Sequence, residues 1–457
     1  MWDPSAARRM PVPRSLPPPD FRDLTTGQLS AVKPATGFCK RAATAQQLTC
    51  CLTEMFFDQA LVRAEKLDRH LAETGKPVGP LHGIPVSVHT TLGYFSFLDR
   101  RSLSMNSPMV GLLLRAGGII YVKPHLPQTM MTCDSNTNVF GRARNPYSRF
   151  LTAGGSCGGE GALIAMRGSI LGVGTDTPLG RLGLAGGIAV ALGPLCTSLR
   201  DADLFFRTIV SCRLVQRIWM ITLWDPRTSN RRPKPQVTIG ILPEDPDFPL
   251  QPPMYRTITT VTQKLAAAGH RVFDIPTGDP PSFASTCQLA FRFFKMDPHR
   301  TPLQNIKNGG APYVPSLSVV YDLDNPGQEH TLHDLYDLNI AKAQVAAKMR
   351  QAWLKSGVDV IVAPIYQSCA PLHDTNGDHV YTVIWNVVDY PACVIPVGHA
   401  DKTADAKYVR DVAYTPVYQP DKIEGAPCHM QIIGRRLKDE VLLQHAKAIE
   451  KILAGED

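Results

Sequence analysis

The stretch Gly154-Gly155-Ser156-Cys157-Gly158-Gly159-Glu160-Gly161 limits the folding choices of this chain more than any other. Five of its eight residues lack a side chain. Ordering such a run costs entropy, so it persists where backbone must pass close to backbone or turn through positive φ. It leads into Ala162-Leu163-Ile164-Ala165, an apolar tetrad suited to a buried helix. Gly172-Val173-Gly174-Thr175-Asp176 then reads as a short strand. Loop, helix and strand in close succession set a helix N-terminus beside a sheet. Exposed amide N–H groups and the positive end of the helix dipole suit an anion or oxyanion there. The plainer reading of the glycines is a tight turn that lets two elements touch.

The flanking sequence alternates helices and strands. Apolar spacing predicts a helix from Ala45 to Thr74, with Leu48, Leu52, Met55 and Val62 on its buried stripe. A strand follows over 84–88, ending on His89. Ser107-Pro108 opens a helix that stops at Gly117-Gly118, before a strand over 119–122. Ser198 with Asp201 marks another helix start. Further strands are expected over 237–242, 358–363 and 428–434, with helices over 254–268, 333–355 and 439–453. Such alternation implies an α/β layer structure with a buried sheet. The first 35 residues are proline-rich and read as a loosely held arm, and residues 36–457 as one domain. The stretch from Trp224 to Pro235 reads as a surface excursion.

Composition excludes several function classes. Apolar residues at 44% are enough to fill a large core, and no apolar run is long enough to span a bilayer. The net charge of +8 is spread out, apart from Arg227, Arg231, Arg232 and Lys234, and basic residues do not alternate with aromatic ones. That pattern excludes a nucleic-acid surface. The 11 cysteines form no CxxC pair and no zinc spacing. No metal or cofactor is expected, and free thiols fit the cytoplasm. Oligomeric state leaves no trace in the sequence.

With its flanks, the glycine-rich stretch closely resembles the amidase signature family, in particular its fungal acetamidase-like branch. Gly79 to Val88 resembles the approach to that family's catalytic lysine. Asn138-Val139-Phe140-Gly141-Arg142 with Asn145-Pro146 resembles the approach to its glycine-rich loop. Asn386 to Ala392, Gly425-Ala426-Pro427 and Gln431 to Arg436 resemble its C-terminal signatures. The resemblance implies an α/β/α sandwich around a large twisted mixed sheet. It also implies hydrolysis of a small carboxamide by a serine–serine–lysine triad, without a cofactor.

Carried onto this chain residue by residue, the pattern puts Ser156 at the serine held by a cis peptide bond and Cys157 where a second serine is usual. The lysine position, after Val86-Ser87-Val88, holds His89. The family continues Gly-Thr-Asp with Ile-Gly-Gly-Ser-Ile-Arg, whose serine attacks. Here Asp176 runs into Thr177-Pro178-Leu179-Gly180-Arg181-Leu182, which resembles a later family stretch. Segments are thus missing after Val88, after Asp176 and after Gly187. Ser156, His89 and Cys157 remain the catalytic candidates, with Gly154, Gly155, Thr175 and Asp176 as substrate-binding candidates. His89 is read as a polar residue too short to serve Ser156, and Cys157 as a small packing residue. Lys123 is read as an ordinary lysine at a strand end, on the surface or supporting the site from behind. The glycine-rich loop is expected beside the end of the 84–88 strand, bringing Ser156 and His89 into one pocket without a good hydrogen bond. Three readings follow: an amidase with a rebuilt site, a non-catalytic scaffold that binds a small amide or a partner, and a coding sequence shortened by misplaced introns.

Overall fold

The computed structural model describes residues 22–89, 93–98, 106–176, 187–211, 234, 236–276, 278–323 and 330–455. Thr90 to Leu92, Thr177 to Leu182, Arg227, Arg231 and Arg232 lie outside them, as does most of the Trp224–Pro235 stretch. The chain forms two compact units. One is drawn from Met1–Pro178, Ala191–Leu223 and Pro302–Pro315, the other from Leu179–Val190, Trp224–Thr301 and Ser316–Asp457. Neither is continuous, so a single cut near Trp224 would separate neither.

The first unit begins with helices α1 (Arg22–Thr26) and α2 (Val32–Thr49). Leu24, Ala31 and Ala35 are buried, so the arm expected to residue 35 is packed from Arg22 onward, as α1, a turn and the start of α2. The long helix expected from Ala45 to Thr74 is likewise broken. Cys50 ends α2 in the left-handed region at φ 54°, strand β1 (Leu52–Met55) follows, and helix α3 runs over Phe57–Thr74. Of the expected stripe only Leu52, in β1, is buried; Leu48, Met55 and Val62 are about half exposed. Within the expected span the buried side chains are mostly small: Ala45 and Thr49 on α2, and Ala60 and Ala64 with the larger Leu67 on α3. Alanines bring helices close but carry little weight in a hydrophobic pattern, which is why the spacing pointed at the wrong face.

Strand β2 (Pro85–Val88) is buried at every residue, as a strand covered on both faces should be. After helix α4 (Pro108–Arg115), capped by the Ser107 hydroxyl accepting from Val110 N–H, come strands β3 (Ile119–Ile120) and β4 (Val122–Pro124). β4 pairs antiparallel with β1, and across them Lys123 Nζ meets Glu54 at 2.9 Å, an ordinary surface pair. Helix α5 (Gly158–Ala165), strand β5 (Leu171–Asp176), strand β6 (Ala191–Cys196) and helix α6 (Leu199–Ser211) complete the main elements. The sheet order is β3-β2-β5-β6, parallel except for the β5–β6 pair.

The second unit holds a mixed five-stranded sheet. Its elements are β7 (Thr238–Ile241), α7 (Pro252–Ala267), β8 (Arg271–Asp274), α8 (Phe283–Phe294), α9 (Leu332–Ser356), β9 (Val360–Ala363), α10 (Val380–Val388), β10 (Ala392–His399), β11 (Pro427–Ile433) and α11 (Asp439–Ala454). The order is β8-β7-β9-β11-β10, with β8, β7 and β9 parallel and the last two pairings antiparallel. The α/β class expected from the sequence holds, and the strands expected over 237–242, 358–363 and 428–434 all lie in this sheet. No helix among the described residues is long and apolar enough to cross a membrane.

Candidate active site

The glycine-rich loop lies beside the end of β2, and the parallel ladder explains how. Ser87 pairs with Gly172 and Val88 with Val173. His89 therefore leaves the sheet next to the end of β5. α5 lies over the same strand, with Cys157 as its N-cap residue. A Cβ on Gly174 would sit 3.4 Å from the Cys157 sulfur, and one on Gly172 would sit 2.8 Å from Glu160 Cγ. Residues three apart on the helix thus rest over residues two apart on the strand. Gly172 is glycine because the Glu160 side chain occupies the space a Cβ would need, and Gly174 because Leu195 on β6 does.

Cys157 Sγ lies 3.2 Å from His89 Nε2, and Thr175 N–H points at the sulfur from 3.4 Å. The Ser156 and Thr175 side chains also bear on the thiol. The Gly155–Ser156 peptide bond is cis, as the resemblance implied. His89 is 6% exposed, and burial pushes its imidazole down to about 4. Burial likewise pushes the Cys157 thiol up to about 11. Near neutral pH the pair is a thiol against an uncharged imidazole.

Two amides of the loop are engaged within the fold. Gly158 N–H donates to Ser135 Oγ at 3.1 Å, and Gly159 N–H to His125 O at 3.2 Å. Ser135 Oγ also donates to Gly154 O at 3.0 Å. Gly154 itself turns at φ +84° and opens onto empty space. The amides of Gly158 and Gly159 are thus not offered to an anion: they hold the loop onto the 125 and 135 segments. Gly155 is exposed, and a Cβ there would meet the Cys133 backbone at 2.8 Å. Asp176 is exposed at the end of β5, opposite Ala191, one residue beyond the His89–Cys157–Thr175 group. Thr177, the other threonine beside the missing segment, lies outside the described residues.

Beneath this group is a polar cluster that sequence reasoning passed over. Glu160 is fully buried and accepts a short hydrogen bond from Ser87 Oγ, which also meets Ser169 Oγ at 2.7 Å. Burial raises the Glu160 carboxyl to about 8, against the Ser87 hydrogen bond. A glutamate one turn into an apolar helix was the available signal. Ser135 had none beyond its place before Asn138–Arg142. No cluster of three or more potential metal ligands occurs among the described residues.

The family profile described as Amidase matches residues 35–178 and 185–443. An amidase of Gibberella moniliformis is 33% identical, the match covering 94% of this chain and 86% of that one. An acetamidase of Emericella nidulans is 31% identical over 94% and 88% of the two chains. The first alignment spans 475 positions, more than the 457 residues of this chain, so it opens gaps on this chain's side. Among solved structures, a fatty acid amide hydrolase superposes with a TM-score of 0.83 at 25% identity, covering 94% of this chain and 84% of that one. A bacterial aryl acylamidase superposes at 0.73 and 17% identity, over 95% and 97%, which speaks for the fold alone.

Proposed function

The chain belongs to the amidase family, and we propose that as it stands it is a carboxamide-binding member in which the serine–lysine route of acyl transfer is lost. The supporting observation is the partner of His89. Where the family pattern calls for a lysine serving a serine, His89 Nε2 meets the Cys157 sulfur. A serine hydroxyl becomes a nucleophile only when a base removes its proton. Small carboxamides are the ligand class that suits the retained framework, and the names of the acetamidase and amidase relatives support it.

A second reading is favoured by the 3.2 Å contact itself. The Cys157 thiol would add to the amide carbonyl, and its proton would pass through His89 Nε2 to the departing amine. Water would then cleave the thioester and restore the thiol. Against this stands the proton's own preference: it would leave a group at about 11 for one at about 4. The first reading therefore carries the proposal. The gaps opened on this chain's side support missing segments, and sequencing the transcript distinguishes a shortened coding sequence from true loss.

The experiment compares this chain with a version carrying His89→Lys and Gly-Gly-Ser inserted after Asp176. We expect the unmodified chain neither to hydrolyse simple carboxamides nor to take a serine-directed fluorophosphonate. Loss of triad members typically removes most of the rate advantage, and loss of an oxyanion donor costs about 3–4 kcal/mol more. Turnover by the unmodified chain that Cys157→Ala abolishes would establish the second reading instead.

A further inference from the structure

In the second unit, helix α9 carries apolar residues on the side turned away from α8 and α10, against which it packs. Its inner face holds Leu338, Met349, Ala352 and Trp353, all buried. Leu332, Tyr336, Ile340 and Leu354 are between 56% and 71% exposed, and Ala343 and Ala347 are exposed with them. At 3.6 residues per turn these six lie along one line of the helix surface, roughly six turns long. In the sequence such spacing reads as a core-facing stripe, and only the exposures show that it faces outward. A lone exposed leucine needs no explanation, but a continuous apolar stripe does. The charges of α9 are divided end from end. Asp334 and Asp337 are its only acidic residues, in its first two turns, and Lys342, Lys348, Arg350 and Lys355 all follow. The helix dipole accounts for that division along the axis, but not for the apolar stripe. Asp337 and Arg350 stand six residues before and seven after Ala343, and Leu332 and Leu354 eleven residues on either side of it.

We propose that this face is a homodimer interface, on which α9 of a second copy of this chain packs antiparallel about a two-fold axis at Ala343. The interface is independent of the amidase reading. A two-fold contact must be self-complementary: if one residue meets another, the second copy repeats the contact in reverse. Turned end for end about Ala343, the stripe falls on itself. Leu332 comes against the partner's Leu354, and Asp337 comes level with the partner's Arg350. A parallel pairing would instead set acid on acid and base on base. Ala343 and Ala347 at the middle are small enough for the two helix axes to approach closely. Burial of the stripe supplies the attraction, and the charges choose the direction. A uniformly charged partner protein would match one half of α9 and oppose the other, and an anionic lipid surface would do the same.

The test measures the mass of the native full chain by sedimentation over a concentration series reaching about 100 µM, which detects a dimer of micromolar affinity. A dimer is expected. Ile340→Glu should turn it to monomer, since the dimer would then bury an unpaired charge. Asp337→Arg and Arg350→Asp should each weaken the dimer several-fold, and the two together in one chain should restore it. Register is read by oxidising a mixture of Leu332→Cys and Leu354→Cys chains and mapping the linked peptides: the two introduced thiols should join across the mixture, and neither variant alone should link at these positions. All the substituted positions are exposed, and the native measurement stands even if a variant fails to fold. A native chain that stays monomeric, free in solution or captured on liposomes, would overturn the proposal. So would a dimer that tolerates Ile340→Glu, a double exchange that fails to restore association, or linking within the single variants.

Discussion

At the scale of single residues, two histidines tie the stability of the first unit to pH. In the unfolded chain His89 and His125 titrate at the ordinary value of 6.5, and in the folded protein burial holds each down to about 4. Between those values the unfolded state binds protons that the folded state refuses. Stability should therefore fall as pH drops from 6.5 toward 4, by at most about 1.4 kcal/mol per pH unit for each histidine. Urea unfolding across that window measures the slope, and His89→Gln should remove one histidine's share. An unchanged slope in that variant would mean His89 takes up its proton while still folded. The sequence pointed to His89 as the residue at the lysine position. It missed that the partner would be Cys157, because the choice between adjacent side chains depends on how α5 sits on β5.

The α5–β5 contact makes two predictions at the scale of elements. Gly172 lies under Glu160, between ladder partners Ser87 and Leu195, so the strand cannot shift to admit a methyl group. Gly172→Ala should cost about 1–3 kcal/mol, the usual penalty of overpacking. A thermal midpoint equal to that of the parent would show that Glu160 moves aside freely. Glu160 itself is held protonated: its carboxyl stands at about 8 in the fold against 4.5 unfolded. The stability this contributes is complete below 4.5 and is lost as pH rises through 8. Glu160→Gln should therefore gain on the parent steadily over that interval, and a pH-independent difference would refute the assignment. Strands such as 84–88 and 428–434 were legible because their apolar runs are buried on both faces. The α2–β1–α3 break was not, since the left-handed turn at Cys50 and the pairing of β1 with β4 leave no mark on local apolar spacing.

For the molecule as a whole, the order of segments matters more than any one contact. Residues 302–315 belong to the first unit although most of the second unit's sequence surrounds them. They are anchored at several points. Gln128 Nε2 donates to Pro312 O at 3.2 Å, Gln128 Oε1 accepts from Val314 N–H at 3.2 Å, and Asn138 Nδ2 donates to Pro312 O at 2.6 Å. Ser96 Oγ donates to Asn305 O at 2.8 Å. A fragment of residues 1–223 lacks these partners and leaves the buried Gln128 amide without them. It should melt below the same fragment supplied with a peptide of residues 302–315. Equal melting temperatures with and without the peptide would show that the segment is dispensable. This return is not legible in the residues themselves, because hydrogen bonds to backbone carbonyls place no demand on residue type at Pro312.

The same interleaving sets a timetable on the ribosome. The segment that completes the first unit is synthesised well after residue 223, a delay of roughly 5–20 s at ordinary translation speeds. Throughout that interval the emerging chain carries the Gln128 amide unsatisfied and its flanking surface uncovered. Nascent chains of this protein should therefore engage holdase chaperones for longer than those of a unit encoded in one stretch, and slow codons between residues 223 and 302 should lower the soluble yield.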